Sequence, residues 1–405
     1  MPLQESRDAE MREELLHAMA EDFETPSYIF DLESLQERME MIYRVFGTDI
    51  SIYYAIKANP FLTKVIAPVV DGFEVCSPGE FRICERAGIP MEKIVLSGVY
   101  KDSQDIERIL ETYGGKGIYT AESLSQLRLL QEAAKKLQLV IKVLIRISSG
   151  NQFGCDRETV SSVIRSRDEY TNLVFTGFQY YSGTQKKHLE KVRDELHFLD
   201  DLIQRFYTED GFVTHELEYG PGFFVPYFEK EQRVNDEAVM NEFLQLIRGM
   251  HYRGHITLEM GRYIAAGCGY YAVKIVDAKE NDGQKYLIVD GGINHLNYYG
   301  QTLGMRIPHF LHLSEKRLEM EDRLAPWTVC GSLCTVGDVL VKNMPLRNPQ
   351  VNDILIFENT GAYSSTESMY LFLSRDMPRI YFFEKDKGLR LMRDTVRTDE
   401  LNFRP

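Results

Sequence analysis

Between about Ser51 and Met260 the chain alternates eight times between a short run of β-branched and aromatic residues and a charged stretch with helical spacing. The runs are SIYYAIKAN, GFEVCS, KIVLSG, GIYTAE, VIKVLIRIS, FTGFQYYSG, HELEYG and HITLEM. Stretches such as SPGEFRICERAG, SLSQLRLLQEAAKKL and KKHLEKVRDELHFLDDLIQRF follow them. Such alternation predicts parallel βαβ units, because two parallel strands need a crossover long enough to hold a helix. Eight units in roughly 220 residues is the count of a (β/α)8 barrel. An open doubly wound sheet is the structural alternative.

After Gly267 the pattern changes. YYAVKIVDAK, KYLIVDGG, WTVCGS, DVLVKN, DILIFEN and RIYFFEKD read as strands with few helical stretches between them. They predict an antiparallel β domain of about 130 residues. The segment Pro26–Asp31 can add a strand to either domain, and the first ~22 residues read as an exposed amphipathic helix. The expected division is a barrel over 26–268, with 1–25 and 269–405 supplying the N-terminal helix and the β domain.

Composition narrows the function classes. A chain of 405 residues favours two domains over one. The formal charge of −14 argues against a nucleic-acid or anionic-membrane surface. No apolar run approaches the ~20 residues needed to span a bilayer. The N-terminus has no apolar core of a signal peptide, so a cytoplasmic protein is expected. Six cysteines are scattered without a CxxC pair, which fits neither a disulfide scaffold nor a structural zinc site; no metal is expected.

Barrel chemistry sits at the C-terminal ends of the strands. The first run ends in Lys57, within YAIKANP. A lysine in a barrel mouth can serve as a nucleophilic amine, since burial disfavours its ammonium form; the alternative is a lysine snorkelling to the rim. The second run ends in Glu74-Val75-Cys76-Ser77, the fifth carries Arg146, and the sixth ends Tyr180-Tyr181-Ser182-Gly183-Thr184. The seventh ends Gly220-Pro221-Gly222, and the eighth ends Glu259-Met260-Gly261-Arg262. Glycines after a late strand let backbone N–H groups approach an anion, though a plain turn reads the same way. Lysine, carboxylate and phosphate cradle together suit pyridoxal phosphate (PLP), and Glu259 is the candidate for its pyridinium nitrogen. The β domain adds two islands, Gly331–Asp338 and Gly361-Ala362-Tyr363. Taken alone, Cys334 there reads as a structural thiol and Tyr363 as a packing residue.

From about Pro26 to the C-terminus, these motifs resemble the fold-type III PLP decarboxylases, the family of diaminopimelate, ornithine and arginine decarboxylases. YAIKANP resembles the family's lysine motif, FEVCSPGE its F-D-x-x-S-x-G-E, EMGR its E-P-G-R and GSLCTVGD its G-P-x-C-(D/E)-x-x-D block; GAY is shared outright. The resemblance implies that Lys57 carries the cofactor and Glu259 pairs with the ring nitrogen. Gly220, Gly222, Gly261, Arg262 and Tyr363 would hold the phosphate. Glu74 and Arg146 would lie around ring and lysine, and Tyr181 would stack where the family has histidine. Cys334 would protonate the product carbon. Thr335 and Asp338 would meet substrate, with sites shared across a homodimer.

The departures are informative. Pro221 removes one N–H from the family's triple-glycine turn. Glu74 replaces an aspartate, and Met260 a proline. Thr335 stands where decarboxylases of free diamino acids carry the acidic residue that binds the distal ammonium. The Arg-Pro usual after V-D-G-G is missing from Gly291-Gly292-Ile293-Asn294-His295-Leu296-Asn297. This pattern is more similar to a side branch that decarboxylates citryl-diaminopropionate for siderophores or a glutamyl group on an acyl carrier protein. The expected activity is PLP-dependent decarboxylation of an amino acid or amino-acid conjugate of siderophore or natural-product type, with an acyl carrier protein as candidate partner. Diaminopimelate decarboxylase is the alternative. An amino-acid racemase or a non-catalytic PLP-binding homologue ranks below both, since racemases use an arginine at the ring nitrogen.

Overall fold

The computed structural model describes residues 13, 14, 18, 23–298, 303–314 and 324–403. The helix expected over the first ~22 residues falls almost wholly outside them. The chain divides into two compact units. The barrel unit comprises Met39–Val225 and Val234–Ile264; the sheet unit comprises Met1–Arg38, Pro226–Arg233 and Ala265–Pro405.

The first strand, β1 (Ser27–Asp31), lies in the sheet unit, so the barrel begins later than residue 26. Its strands are β2 (Ile50–Ala55), β3 (Gly72–Val75), β4 (Ile94–Leu96), β5 (Ile118–Ala121), β6 (Ile141–Ile147), β7 (Leu173–Tyr181), β8 (Glu216–Gly220) and β9 (His255–Met260). All eight expected runs therefore form strands. Each pairs in parallel with the next, and β2 pairs with β9 from Ile50↔Ile256 to Tyr54↔Met260, closing the barrel. The intervening helices start where short polar side chains cap the first free amides. Ser77 accepts from Glu80 N, Asp102 from Gln104 N and Asp105 N, and Asn235 from Ala238 N. Such caps contribute about 1 kcal/mol each.

Strand parity decides which side chains enter the barrel. Phe178 of β7 packs on Phe206 of the helix Glu190–Asp210, and Tyr219 of β8 packs on Phe243 of the helix Asp236–Gly249. Those residues thus face the helical layer. Their neighbours Gln179, Tyr181, Glu218 and Gly220 take the opposite face.

The sheet unit holds β10 (Gly269–Asn281), β11 (Gln284–Val289), β12 (Phe310–Leu313), β13 (Leu324–Cys330), β14 (Val339–Arg347), β15 (Ile354–Glu358), β16 (Arg379–Glu384) and β17 (Gly388–Arg393). Among the described residues they form with β1 a nine-stranded sheet. Its main path runs β14-β13-β11-β10-β1-β16-β17, with β15 pairing both β10 and β12. The sheet is mostly antiparallel, but β1–β16 and β11–β13 are parallel. Ile29, Ala272, Ile356, Tyr381 and Phe383 form a buried cluster within it.

Candidate active site

Lys57 follows β2 directly, in a short 3₁₀ turn, Ile56–Ala58, at the C-terminal end of the strand. Its Nζ lies 2.7 Å from Glu74 Oε2, 3.3 Å from Glu259 Oε1 and 3.5 Å from Cys76 Sγ. The lysine side chain is 37% exposed, whereas those of Glu74 and Glu259 are 2% and 9% exposed. The two carboxylates have left water, and the ammonium compensates them. Burial and then the neighbouring Glu74 push the Glu259 carboxyl up, while Lys57 pulls it down. Burial and Glu74 also push the Cys76 thiol well up, so it is protonated and donates to Glu74 Oε1 at 2.6 Å.

Tyr181 ends β7 opposite Gly220, the last residue of β8. Its phenol is raised by burial first and by Glu259 second, which places it within reach of the central charges. A Cβ at Gly220 would strike the Tyr181 ring, and one at Gly222, where φ is +63°, would strike the Gly183 carbonyl oxygen. Lys186 N donates to Gly222 O at 2.8 Å, and Arg262 Nε donates to Thr184 Oγ1 at 3.2 Å. The loops after β7, β8 and β9 are thereby tied into one glycine-lined cradle. Gly261 belongs to it, packed so tightly that a Cβ would come within 2.8 Å of Ala58 Cβ. Arg146 on β6 bonds Glu122 Oε1 at 3.2 Å, and its buried Nε has no hydrogen-bond partner among the described residues.

The remaining expected residues belong to the sheet unit. Cys334 and Thr335 are exposed in the turn between β13 and β14. Asp338 closes that turn, and here its expected role changes. Its carboxylate is buried and accepts from Ile293 N at 2.9 Å and Leu333 N at 2.7 Å. Both oxygens are spent on backbone amides, so Asp338 shapes the Cys334 turn rather than presenting a free charge to substrate. Tyr363 is half-buried with φ +66°.

Sequence reasoning left out several polar residues of the barrel interior. Gln179, Glu218 and Ser97 are about 1% exposed and hydrogen-bonded together near Glu259. Lys101 is buried after β4, and desolvation lowers it to about 8. Glu122 joins Arg146 to Gly154 N. The available signal was a polar residue at an inward strand position, as in FTGFQYY and HELEYG.

These groups fit PLP. An amine flanked by carboxylates, a cradle that side chains would fill and a buried guanidinium Nε with no hydrogen-bond partner among the described residues are what an aldehyde-bearing anionic ring requires. No group of three or more metal-ligating side chains occurs among the described residues. No helix among them is long and apolar enough to cross a membrane.

The comparisons agree with this chemistry. An L-glutamyl-[BtrI acyl-carrier protein] decarboxylase from Niallia circulans is 26% identical, over 95% of this chain and 94% of its own length. A diaminopimelate decarboxylase from Aquifex aeolicus is also 26% identical, over 91% and 90%. The fold is similar to that of diaminopimelate decarboxylase from M. jannaschii, with a TM-score of 0.85, 23% identity and coverage of 96% and 94%. Lysine/ornithine decarboxylase from Vibrio vulnificus gives 0.77 at 20% identity, covering 92% and 98%. Residues 32–266 match the family model of the pyridoxal-dependent decarboxylases, pyridoxal binding domain. The chain belongs to the fold-type III PLP-dependent decarboxylases and is a PLP-dependent carboxy-lyase.

Proposed function

We propose that the substrate is an α-amino-acid centre whose distal end is masked by conjugation or by attachment to an acyl carrier protein. The observation that carries this reading is Thr335, an exposed, uncharged residue directly after Cys334. The family resemblance implies an acidic side chain at that position in decarboxylases of free diamino acids. A hydroxyl cannot neutralise a distal ammonium. The name of the Niallia circulans relative, a glutamyl group on a carrier protein, supports the same reading.

The reaction breaks the bond between Cα and the carboxylate, releases CO2 and puts one proton on Cα. PLP, when bound, supplies an electron sink for the pair left on Cα. Lys57 would hold the cofactor through Nζ. Glu259 would accept a hydrogen bond from the ring nitrogen and hold a proton at that atom, a charge-assisted contact. Gly220, Gly222 and Gly261 would hold the phosphate with Arg262 and Tyr363, with one amide fewer because of Pro221. Tyr181 would cover one ring face, and Glu74 and Arg146 would fix the surroundings of ring and lysine. Cys334, contributed by a second copy in a homodimer, would deliver the proton to Cα, since a thiol S–H can act as a general acid. The cytoplasm is the expected setting.

Diaminopimelate decarboxylation is the second reading, favoured by the diaminopimelate decarboxylases among relatives of equal identity. The test is CO2 release by the PLP-loaded protein. The panel holds meso-diaminopimelate, lysine, ornithine, arginine and a glutamyl thioester of pantetheine. Release from the thioester with none from the free diamino acids is expected. Rapid turnover of meso-diaminopimelate would replace the first reading with the second.

A further inference from the structure

Beside Glu259 lies a buried acid–amide pair that the proposed reaction does not use. Glu218 on β8 and Gln179 on β7 are register partners, each about 1% exposed. Gln179 Nε2 is 2.6 Å from Glu218 Oε1, 3.0 Å from Ser97 Oγ and 3.5 Å from Glu259 Oε2. Its buried Oε1 has no hydrogen-bond partner among the described residues. The side chain is thus held by its donor half, turned toward the two acids at the expense of its own carbonyl.

Charge counting then locates a proton. Glu74, Glu218 and Glu259 point into one interior; Lys57 is ion-paired with Glu74 and Glu259, and the charges that act on Glu218 are those of other carboxylates. Arg146 is engaged by Glu122, and the buried amine of Lys101 acts on Glu122 and Glu74 rather than on Glu218. Around Glu218 stand Tyr53 of β2, Glu74 of β3, Gln179 of β7, Glu259 of β9 and Glu216 of its own strand. None of these supplies a cation. A third unpaired carboxylate in this space would be strongly disfavoured against uptake of one proton.

We infer that Glu218 stays a neutral, protonated acid and that Gln179 is a positioning residue whose amide joins it to Glu259, leaving Glu259 as the carboxylate that keeps its charge. Burial first, and Glu259 second, push the Glu218 carboxyl well above its ordinary range, in the same sense. For the cofactor, the inference rests on the proposed contact of Glu259 with the ring nitrogen. A protonated neighbour held by the same amide fixes the Glu259 carboxylate without competing for that nitrogen's proton.

The first test uses the cofactor-free protein. Infrared difference spectroscopy between wild type and Glu218→Gln is expected to show loss of a protonated carboxylic-acid carbonyl band. Loss of carboxylate bands alone would overturn the inference. The linkage has a definite sign: a raised acid contributes stability that is present below its unfolded pKa and lost as pH rises through its folded pKa. Wild type should therefore lose Tm relative to Glu218→Gln as pH rises from about 4.5. A constant offset at every pH would count against a protonated Glu218.

The second test compares PLP with an analogue that has carbon in place of the ring nitrogen. Gln179→Met should bind PLP about tenfold more weakly and the analogue unchanged. Equal loss for both, or none for either, would overturn the positioning role. If Gln179→Met does not fold, Gln179→Asn carries the same comparison. Glu259→Gln separates the two layers: unchanged discrimination between PLP and the analogue would sink the ring-nitrogen contact, whereas the infrared result on Glu218 stands by itself.

Discussion

At the scale of single residues, chemistry is concentrated where charge interrupts an apolar pattern. The placement of Lys57 and Glu259 was legible because one follows a strand and the other is next to last in one, where a barrel builds its site. Gln179 and Glu218 were not, because a polar residue inside a strand is indistinguishable from ordinary inside–outside alternation until the barrel closes around it. Lys57→Ala is expected to abolish the visible absorbance of the PLP-loaded protein and to cut activity by on the order of 10³-fold or more. An unchanged spectrum would remove Lys57 from its assigned role. Cys334→Ser should keep cofactor absorbance while amine formation falls about 10²-fold, measured together with misprotonated products. Thr335→Asp should lower turnover of a conjugated substrate and admit a free diamino acid, read as a change in the ratio of kcat/KM values.

Elements turn those residues into a site by holding loops against one another. Glu195, on the helix Glu190–Asp210, accepts from Lys186 Nζ at 2.7 Å and Tyr219 O–H at 2.6 Å, and also from Ser182 O–H. The Lys186 and Glu195 side chains are only 5% and 7% exposed. Removing one partner strands the other charge, so Glu195→Ala should destabilise the protein by roughly 3–5 kcal/mol, measurable by urea unfolding. Gly222→Ala forces a Cβ onto a carbonyl at positive φ; PLP affinity should fall by about tenfold or more, read by titrating the cofactor-free protein. All eight barrel strands were readable because βαβ units repeat their own punctuation. The short strands β12 and β17 were missed because their residues are half-buried or exposed and offer no clear period. The parallel pairs β1–β16 and β11–β13 were illegible for another reason: a local pattern reports which face is buried, not which distant strand it meets.

On the scale of the whole molecule, proton uptake links folding to pH. His295 is buried, with Nε2 2.8 Å from Asp376 O and Nδ1 3.1 Å from the Tyr271 hydroxyl. Burial lowers it to about 4. The unfolded chain takes up this proton near pH 6.5 and the folded one does not, so stability falls as pH drops from about 6.5 toward 4, by up to ~3 kcal/mol. His295→Asn should flatten that part of the Tm–pH curve; an identical slope would exclude the buried imidazole as its source. The strand β1 carries a different consequence. It lies between β10 and β16, pairing Ser27 with Ala272 on one side and with Arg379 on the other. A strand near the beginning of the chain thus waits for one emerging about 350 positions later before its second edge is covered. On the ribosome, the barrel segment is complete while β1 still exposes an open backbone edge, the usual site of wrong pairing. Nascent chains halted before Arg379 should therefore be cut by protease near β1 while the barrel segment resists, and release of the last strands should close that window.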